Sequence, residues 1–309
     1  GDVEGAAALV AADAPVEFRA REIALAEIAA KGTPLVPRSR TPVDLLRQGD
    51  LWELQAGEVD DQGRVRRVRY FAAGPLDALR LSEPTAAALG EALSLPGERF
   101  ETRARLIDAA QCQLALRYSE EALVALLGRL GEAYRPERRI VLNCSATVVP
   151  GLPVLASAYV RDAEITFLTS QSMVVFSDPG AQWARTVAAH ELAHVLLFQR
   201  GTGPFFLIEG IPLWLTDDRR QNELDRLVAA DALWTLEHLV EGPRDATEFF
   251  AAYAQAQSFV RFIATAYGDS AVIDAWEAGR TMPFADAFRS ATGATPGDAY
   301  AAWRASLRR

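Results

Sequence analysis

Three residues in the segment from Thr186 to Phe198 have the types and the spacing to hold a metal ion and to work beside it. At 3.6 residues per turn, positions four apart stand one above the other on a helix, so His190 and His194 can both point at a single ion. Glu191 is rotated on by one residue, beside such an ion rather than on it, which suits a base acting on a metal-activated water. The spacing is that of a zinc-hydrolase signature. The plainer alternative is a pair of core histidines, each with a satisfied hydrogen bond. Yet the chain of 309 residues has only three histidines, and two of them fall in this register with glutamate at the required position. A zinc site, one ion per chain, is therefore the expectation.

Two histidines leave a catalytic zinc one protein ligand short. A third histidine at the metzincin spacing is ruled out, because Leu197 and Arg200 stand where that arrangement needs glycine and histidine. Glu209 is the best remaining carboxylate, since its neighbours from Pro204 to Leu215 are apolar and a glutamate in such company needs a partner. About 9 Å of helix separates His194 from Arg200; the Gly201-Thr202-Gly203-Pro204 cluster reverses the chain, and five further residues can retrace that distance. Pro212 fits a second helix that begins near Glu209 or Gly210. Without a metal, Glu209 would be a buried helix-start carboxylate met by backbone amides.

The element that positions the histidines reads as a helix, with Ser177-Asp178-Pro179-Gly180 as its cap and Gly201 just past its end. Trp183, Val187, His190, His194 and Leu197 form one stripe. Leu192, Val195, Leu196 and Phe198 make its last two turns apolar nearly all round, which predicts a helix inside the domain.

Taken together, the His190–His194 helix and the Ile208-Glu209-Gly210-Ile211 segment resemble the gluzincins, the thermolysin-type zinc peptidases, and within them the bacterial peptidase MA-like group. The similarity continues through Tyr253 to Ile263, Ala266-Tyr267-Gly268, Phe284 to Phe288, Gly293 and Ala302-Trp303, so it spans roughly residues 100 to 309. It implies zinc ligands at His190, His194 and Glu209, a general base at Glu191, and hydrolysis of a peptide or protein substrate. Phe206 stands where the family has tryptophan, Pro212 where it has alanine, and Leu213 where thermolysin-like enzymes carry an aspartate that orients a histidine. Asp217, two turns after Glu209, is the candidate substitute. The exopeptidase signature Gly-x-Met-Glu-Asn is absent, so the expected activity is that of an endopeptidase. A donor for the developing oxyanion is also needed. Tyr253 leads because it falls in the matching stretch; His238 is the runner-up, and packing alone is the plainer role for Tyr253.

The expected fold class is α+β: a zincin-like peptidase domain over 98–309 with a mainly helical C-terminal part, preceded by a small α+β domain over 1–97. Residues 1 to about 30 have a helical pattern. Leu51–Val59 and Val65–Ala72 alternate as strands around Asp60-Asp-Gln-Gly63, a hairpin signal, and Asp77–Leu81 reads as a third strand. Helix followed by meander resembles the nuclear-transport-factor-two-like cone. Pro96-Gly97 marks the boundary. Beyond it, Glu120 to Tyr134 reads as a helix, Arg139–Leu142 and Ala163–Phe167 as strands, and Phe100 to Tyr118 is ambiguous. Helix starts are expected near Asp245, Asp269, Met282 and Thr295. Residues 158–168 are either an edge for strand addition by a peptide or an ordinary buried strand.

Half of the residues are hydrophobic and 24% are charged, which suits a soluble chain with a proper core. A net charge of −9 gives no support for nucleic-acid binding, and the Arg64 to Arg69 run alternates with valines as one face of an exposed strand would. No apolar run reaches transmembrane length. The oligomeric state is not legible. Cys112 and Cys144 are either one disulfide or two small buried hydrophobes. The missing initiator methionine and the resemblance together favour an exported protein. A non-enzymatic alternative stands beside the peptidase: a zincin scaffold with structural zinc, or a cleft that binds a peptide or cell-wall ligand.

Overall fold

The computed structural model describes residues 4, 8–15, 18–20, 22–24, 26, 40–59, 65–147, 158–169, 174–175, 181–218, 220–245 and 247–308. The architecture is α+β, with two sheets drawn from the first 175 residues and helices in the rest. Strands β1 (Arg40–Gln48), β2 (Leu51–Val59), β3 (Val65–Ala73) and the short β4 (Arg80–Leu81) form an antiparallel meander. The second sheet contains β5 (Ala92–Pro96), β6 (Phe100–Arg105), β7 (Ile140–Ser145), β8 (Ala158–Arg161) and β9 (Glu164–Leu168) in the order β5-β6-β7-β9-β8. Its three inner strands are parallel and its two edges antiparallel. The last strand, β10 (Val174–Val175), returns to pair with β3.

The β2–β3 pairing runs from Leu51↔Ala73 to Val59↔Val65, as the alternation of residue types requires. Its turn, Asp60–Gly63, lies outside the described residues, as do the cap at Ser177–Gly180 and the side chains of the Arg64–Arg69 run. The strand expected over Asp77–Leu81 is mostly replaced by a 3₁₀ turn at Leu76–Ala78. Gly74 adopts a positive φ of 106° just before it, so the chain turns instead of extending. Strand β1 carries no clear alternation and was not expected.

The ambiguous stretch from Phe100 to Tyr118 divides into β6, whose side chains alternate buried and exposed, and the start of helix α1 (Ala109–Leu130). That helix begins eleven residues earlier than its pattern suggested. Buried Asp108 precedes it and accepts a hydrogen bond from the buried hydroxyl of Thr169. Cys112 on α1 is joined to Cys144 on β7, with Cα atoms 5.7 Å apart and both residues buried, so the disulfide alternative is the one observed. Closing a loop over 32 positions restricts the unfolded chain by about 3–4 kcal/mol in a chain-entropy treatment.

Helices α2 (Ala181–Phe198) and α3 (Phe205–Leu215) follow, then α4 (Gln221–Ala229), α5 (Leu236–Glu241), α6 (Phe249–Tyr267), α7 (Asp269–Ala278), α8 (Phe284–Thr292) and α9 (Pro296–Ser306). The last four begin within about four residues of the expected starts; Thr295 caps α9 by accepting the Asp298 amide at 3.1 Å. Phe206, Phe259, Trp276, Phe288 and Trp303 are fully buried and supply the aromatic core of this helical part.

By its contacts the chain divides into two compact units, 1–124 with 136–191 and 125–135 with 192–309. None of the described helices is long and apolar enough to cross a membrane.

Candidate metal centre

Helix α2 carries His190, Glu191 and His194 in its second half. Leu192, Ala193, Val195, Leu196 and Leu197 are all buried around them, which keeps bulk water from most sides of that segment. The expectation of a helix inside the domain has exceptions among the described residues: Phe198 is 45% exposed, and Arg185 is exposed as well.

Helix α3 starts at Phe205, with Pro204 as its extended N-cap, earlier than expected. Glu209 therefore sits on its second turn rather than at its start, and the reading of Glu209 as a helix-start carboxylate does not describe this structure. Pro212 lies inside the helix, at the cost of one backbone hydrogen bond. Burial of Phe206, Leu207, Ile211, Leu213 and Leu215 along the same eleven residues offsets that cost.

The placement of Glu209 is held at the middle and at the C-terminal end of α3. Next to it, Gly210 packs so closely on α6 that a Cβ there would come within 2.6 Å of the Ala256 carbonyl oxygen and of Val260. At the C-terminal end Arg129, from α1, donates to the carbonyls of Trp214 and Leu215 at 3.1 and 2.6 Å, with its guanidinium 4.6 Å from the Trp214 ring centre. A cation on the last carbonyls of a helix satisfies acceptors that have no intrahelical partner and opposes the helix dipole.

The result is convergence. One ligand atom from each of His190, His194 and Glu209 lies within 4.8 Å of the others, and His194 Nε2 is 3.4 Å from Glu209 Oε2. Donors bound to zinc at about 2.0–2.2 Å and at tetrahedral angles lie about 3.4 Å apart, so the donor set and its spacing fit such an ion. His194 is 7% exposed, whereas His190 and Glu209 are half-buried. Glu191 is half-buried as well and leaves α2 about 100° round from His190.

The two oxyanion candidates lie outside this group. Tyr253, on α6, stacks on Phe249 at 4.1 Å, meets Phe205 edge-on and lies under the Arg220 guanidinium at 5.3 Å. His238, on α5, stacks flush on Trp234 at 3.7 Å and directs Nε2 at Glu248, 3.2 Å away. Asp217 is exposed and accepts from Arg261 Nη1 at 2.8 Å. The buried carboxylate of that stretch is its neighbour Asp218, which holds Arg220 at 3.1 Å and so stands behind the face of Tyr253. An acid two residues before an arginine at a helix start was the available signal for it. Among the described residues, strand β8 lies at the edge of its sheet and β9 is a largely buried inner strand.

No protein-family model matches the sequence, and no curated protein does. Among solved structures, a mutant of the M1 zinc metallopeptidase from Deinococcus radiodurans is similar at 16% identity, with a TM-score of 0.40. The match covers 86% of this chain and 61% of that one, so this chain spans less than two thirds of its neighbour's length. At that level of similarity, the metal-binding reading rests on the residues of this chain.

Proposed function

We propose that the protein is a zinc-dependent peptidase acting as an endopeptidase, with His190, His194 and Glu209 as ligands and Glu191 as general base. The observation that carries this reading is the convergence of the three donors with Glu191 one residue along α2. Zinc bound there supplies a Lewis acid with an open coordination position and lowers the pKa of water toward about 7. Glu191 takes the proton of the water that attacks the scissile carbonyl. It delivers that proton to the departing amine as the carbon–nitrogen bond breaks. The Tyr253 hydroxyl is the first choice as donor to the carbonyl oxygen, because the flush stacking of His238 and its bond to Glu248 already occupy that ring. The substrate is a peptide or protein, and β8 offers an edge for its extended main chain. The buried Cys112–Cys144 bridge supports an oxidising, exported location.

A structural metal needs no base beside it and commonly closes its fourth position with cysteine or histidine, whereas the group among the described residues has three members. Metal analysis and cleavage of a peptide library, with and without chelator, test the reading together with Glu191→Gln. About one zinc per chain is expected. The variant should keep its zinc and lose at least about a hundredfold in hydrolysis, the usual scale for a general base. If the wild type binds zinc but cleaves nothing, and Glu191→Gln is indistinguishable from it, the protein is a non-catalytic scaffold.

A further inference from the structure

Helices α2 and α3 bring His194 and Glu209 together, and only residues 199–204 join them. The end of α7 grips the end of α2 at several points. Trp276, fully buried, donates its indole N–H to the Leu197 carbonyl at 2.9 Å, and its own carbonyl accepts the Thr202 amide at 3.3 Å. Arg280 donates to the Gln199 carbonyl at 3.0 Å, and Arg200 donates to Glu277 at 2.8 Å. The Leu197 carbonyl also accepts the Arg200 and Gly201 amides at 2.9 and 3.1 Å, so the indole adds a third donor where α2 ends. Gly201 lies so close to the indole that any Cβ would overlap it. The reversal between the two helices is thus moulded on Trp276.

From the same indole a second line of contact leads into the metal centre. The Phe198 ring centre is 5.9 Å from that of Trp276 and 5.5 Å from that of His194, and it lies within 13° of parallel to the imidazole. Nearly half of Phe198 is exposed, so burial alone gives little reason for its position.

We propose that Phe198, backed by Trp276, is a positioning residue for the metal centre, holding the plane of the His194 ring so that Nε2 faces the ion. The proposal rests on the metal-binding reading of the cluster. A flat ring against one imidazole face restricts the broad χ2 well of histidine. A ligand already restrained loses less freedom when the ion binds, so the gain appears as metal affinity.

The test is zinc titration against a chromophoric chelator, with thermal melting of the metal-free proteins, for wild type, Phe198→Ala, Phe198→Tyr and Trp276→Phe. Phe198→Ala should weaken zinc binding about 10- to 100-fold, the scale for residues that orient a ligand, with little change in metal-free melting. Phe198→Tyr keeps the ring and should restore affinity to within about threefold of wild type. Trp276→Phe, which removes the donor to Leu197, should weaken zinc in the same direction. Phe198→Ala binding zinc as tightly as wild type, or Phe198→Tyr losing as much as Phe198→Ala, overturns the proposal alone. A wild type that binds no zinc overturns the metal reading beneath it.

Discussion

Among the described residues, the histidine–glutamate pairs His194–Glu209 at 3.4 Å and His238–Glu248 at 3.2 Å have nearly the same geometry, and both are poorly exposed. The second is a closed arrangement. Trp234 covers one face of its imidazole, Glu248 also accepts the Arg244 amide at 2.7 Å, and the His238 amide donates to Thr235. The first stands one helical turn from another imidazole and is part of a three-donor group. Contact between imidazole and carboxylate therefore does not define a metal centre. The group that could hold an ion adds a second imidazole at the four-residue spacing and a carboxylate returned to it by a reversal of the chain.

The largest expected difference between the pairs is in metal binding. His190→Ala, His194→Ala or Glu209→Ala should each weaken zinc by more than the roughly 10- to 100-fold typical of residues behind the ligands, while His238→Ala leaves zinc content after dialysis unchanged. Full zinc content in a His194→Ala protein would erase the comparison. Turnover comes next. Tyr253→Phe should lower it about ten- to a thousandfold with substrate binding little changed, and His238→Ala should leave it within about twofold. If the two results are exchanged, the second pair belongs to the reaction and Tyr253 to the packing.

Stability gives a smaller contrast. Removing the His238 ring should cost about 1–3 kcal/mol by leaving Glu248 without one partner, measured by denaturant unfolding and independent of zinc. The smallest effect concerns Glu277, which helps fasten the end of α2. Burial pushes its carboxyl up, but the Arg200 hydrogen bond, the Tyr134 hydroxyl and the Arg200 charge outweigh that and leave it below the usual range. A depressed carboxylate contributes stability that is present above its unfolded pKa and lost as the pH falls through its lower folded value. Glu277→Gln should flatten the acid side of the melting profile, and an unchanged profile would remove this pair from the account.

The site was more legible than the frame around it. Two histidines and a glutamate at fixed helical spacing carry their geometry in their sequence numbers, so α2 and its three polar residues could be read directly. Glu209 was legible because a charge in apolar company demands a partner. The start of α3 was misplaced because Pro212 was read as a first-turn signal, whereas the apolar run from Phe205 carries the helix through it. Strand β1 pairs with its neighbour β2 across Gly49 and Asp50 and was missed because Arg40–Gln48 has no period-two alternation, and the start of α1 was missed because the stretch before it reads equally as strand or helix. Phe198 read only as an apolar residue: His194 lies four positions before it on the same helix, but Trp276, which backs it, is some eighty positions away.

Gly210 sets a mechanical stop beside the ligand it follows. With a Cβ already 2.6 Å from the Ala256 carbonyl, the smallest side chain would have to lift or roll α3 by about an ångström to regain ordinary contact. Glu209 would travel with it. A library randomised at position 210 should therefore behave as a graded displacement of one carboxylate, ordered by side-chain volume and indifferent to polarity.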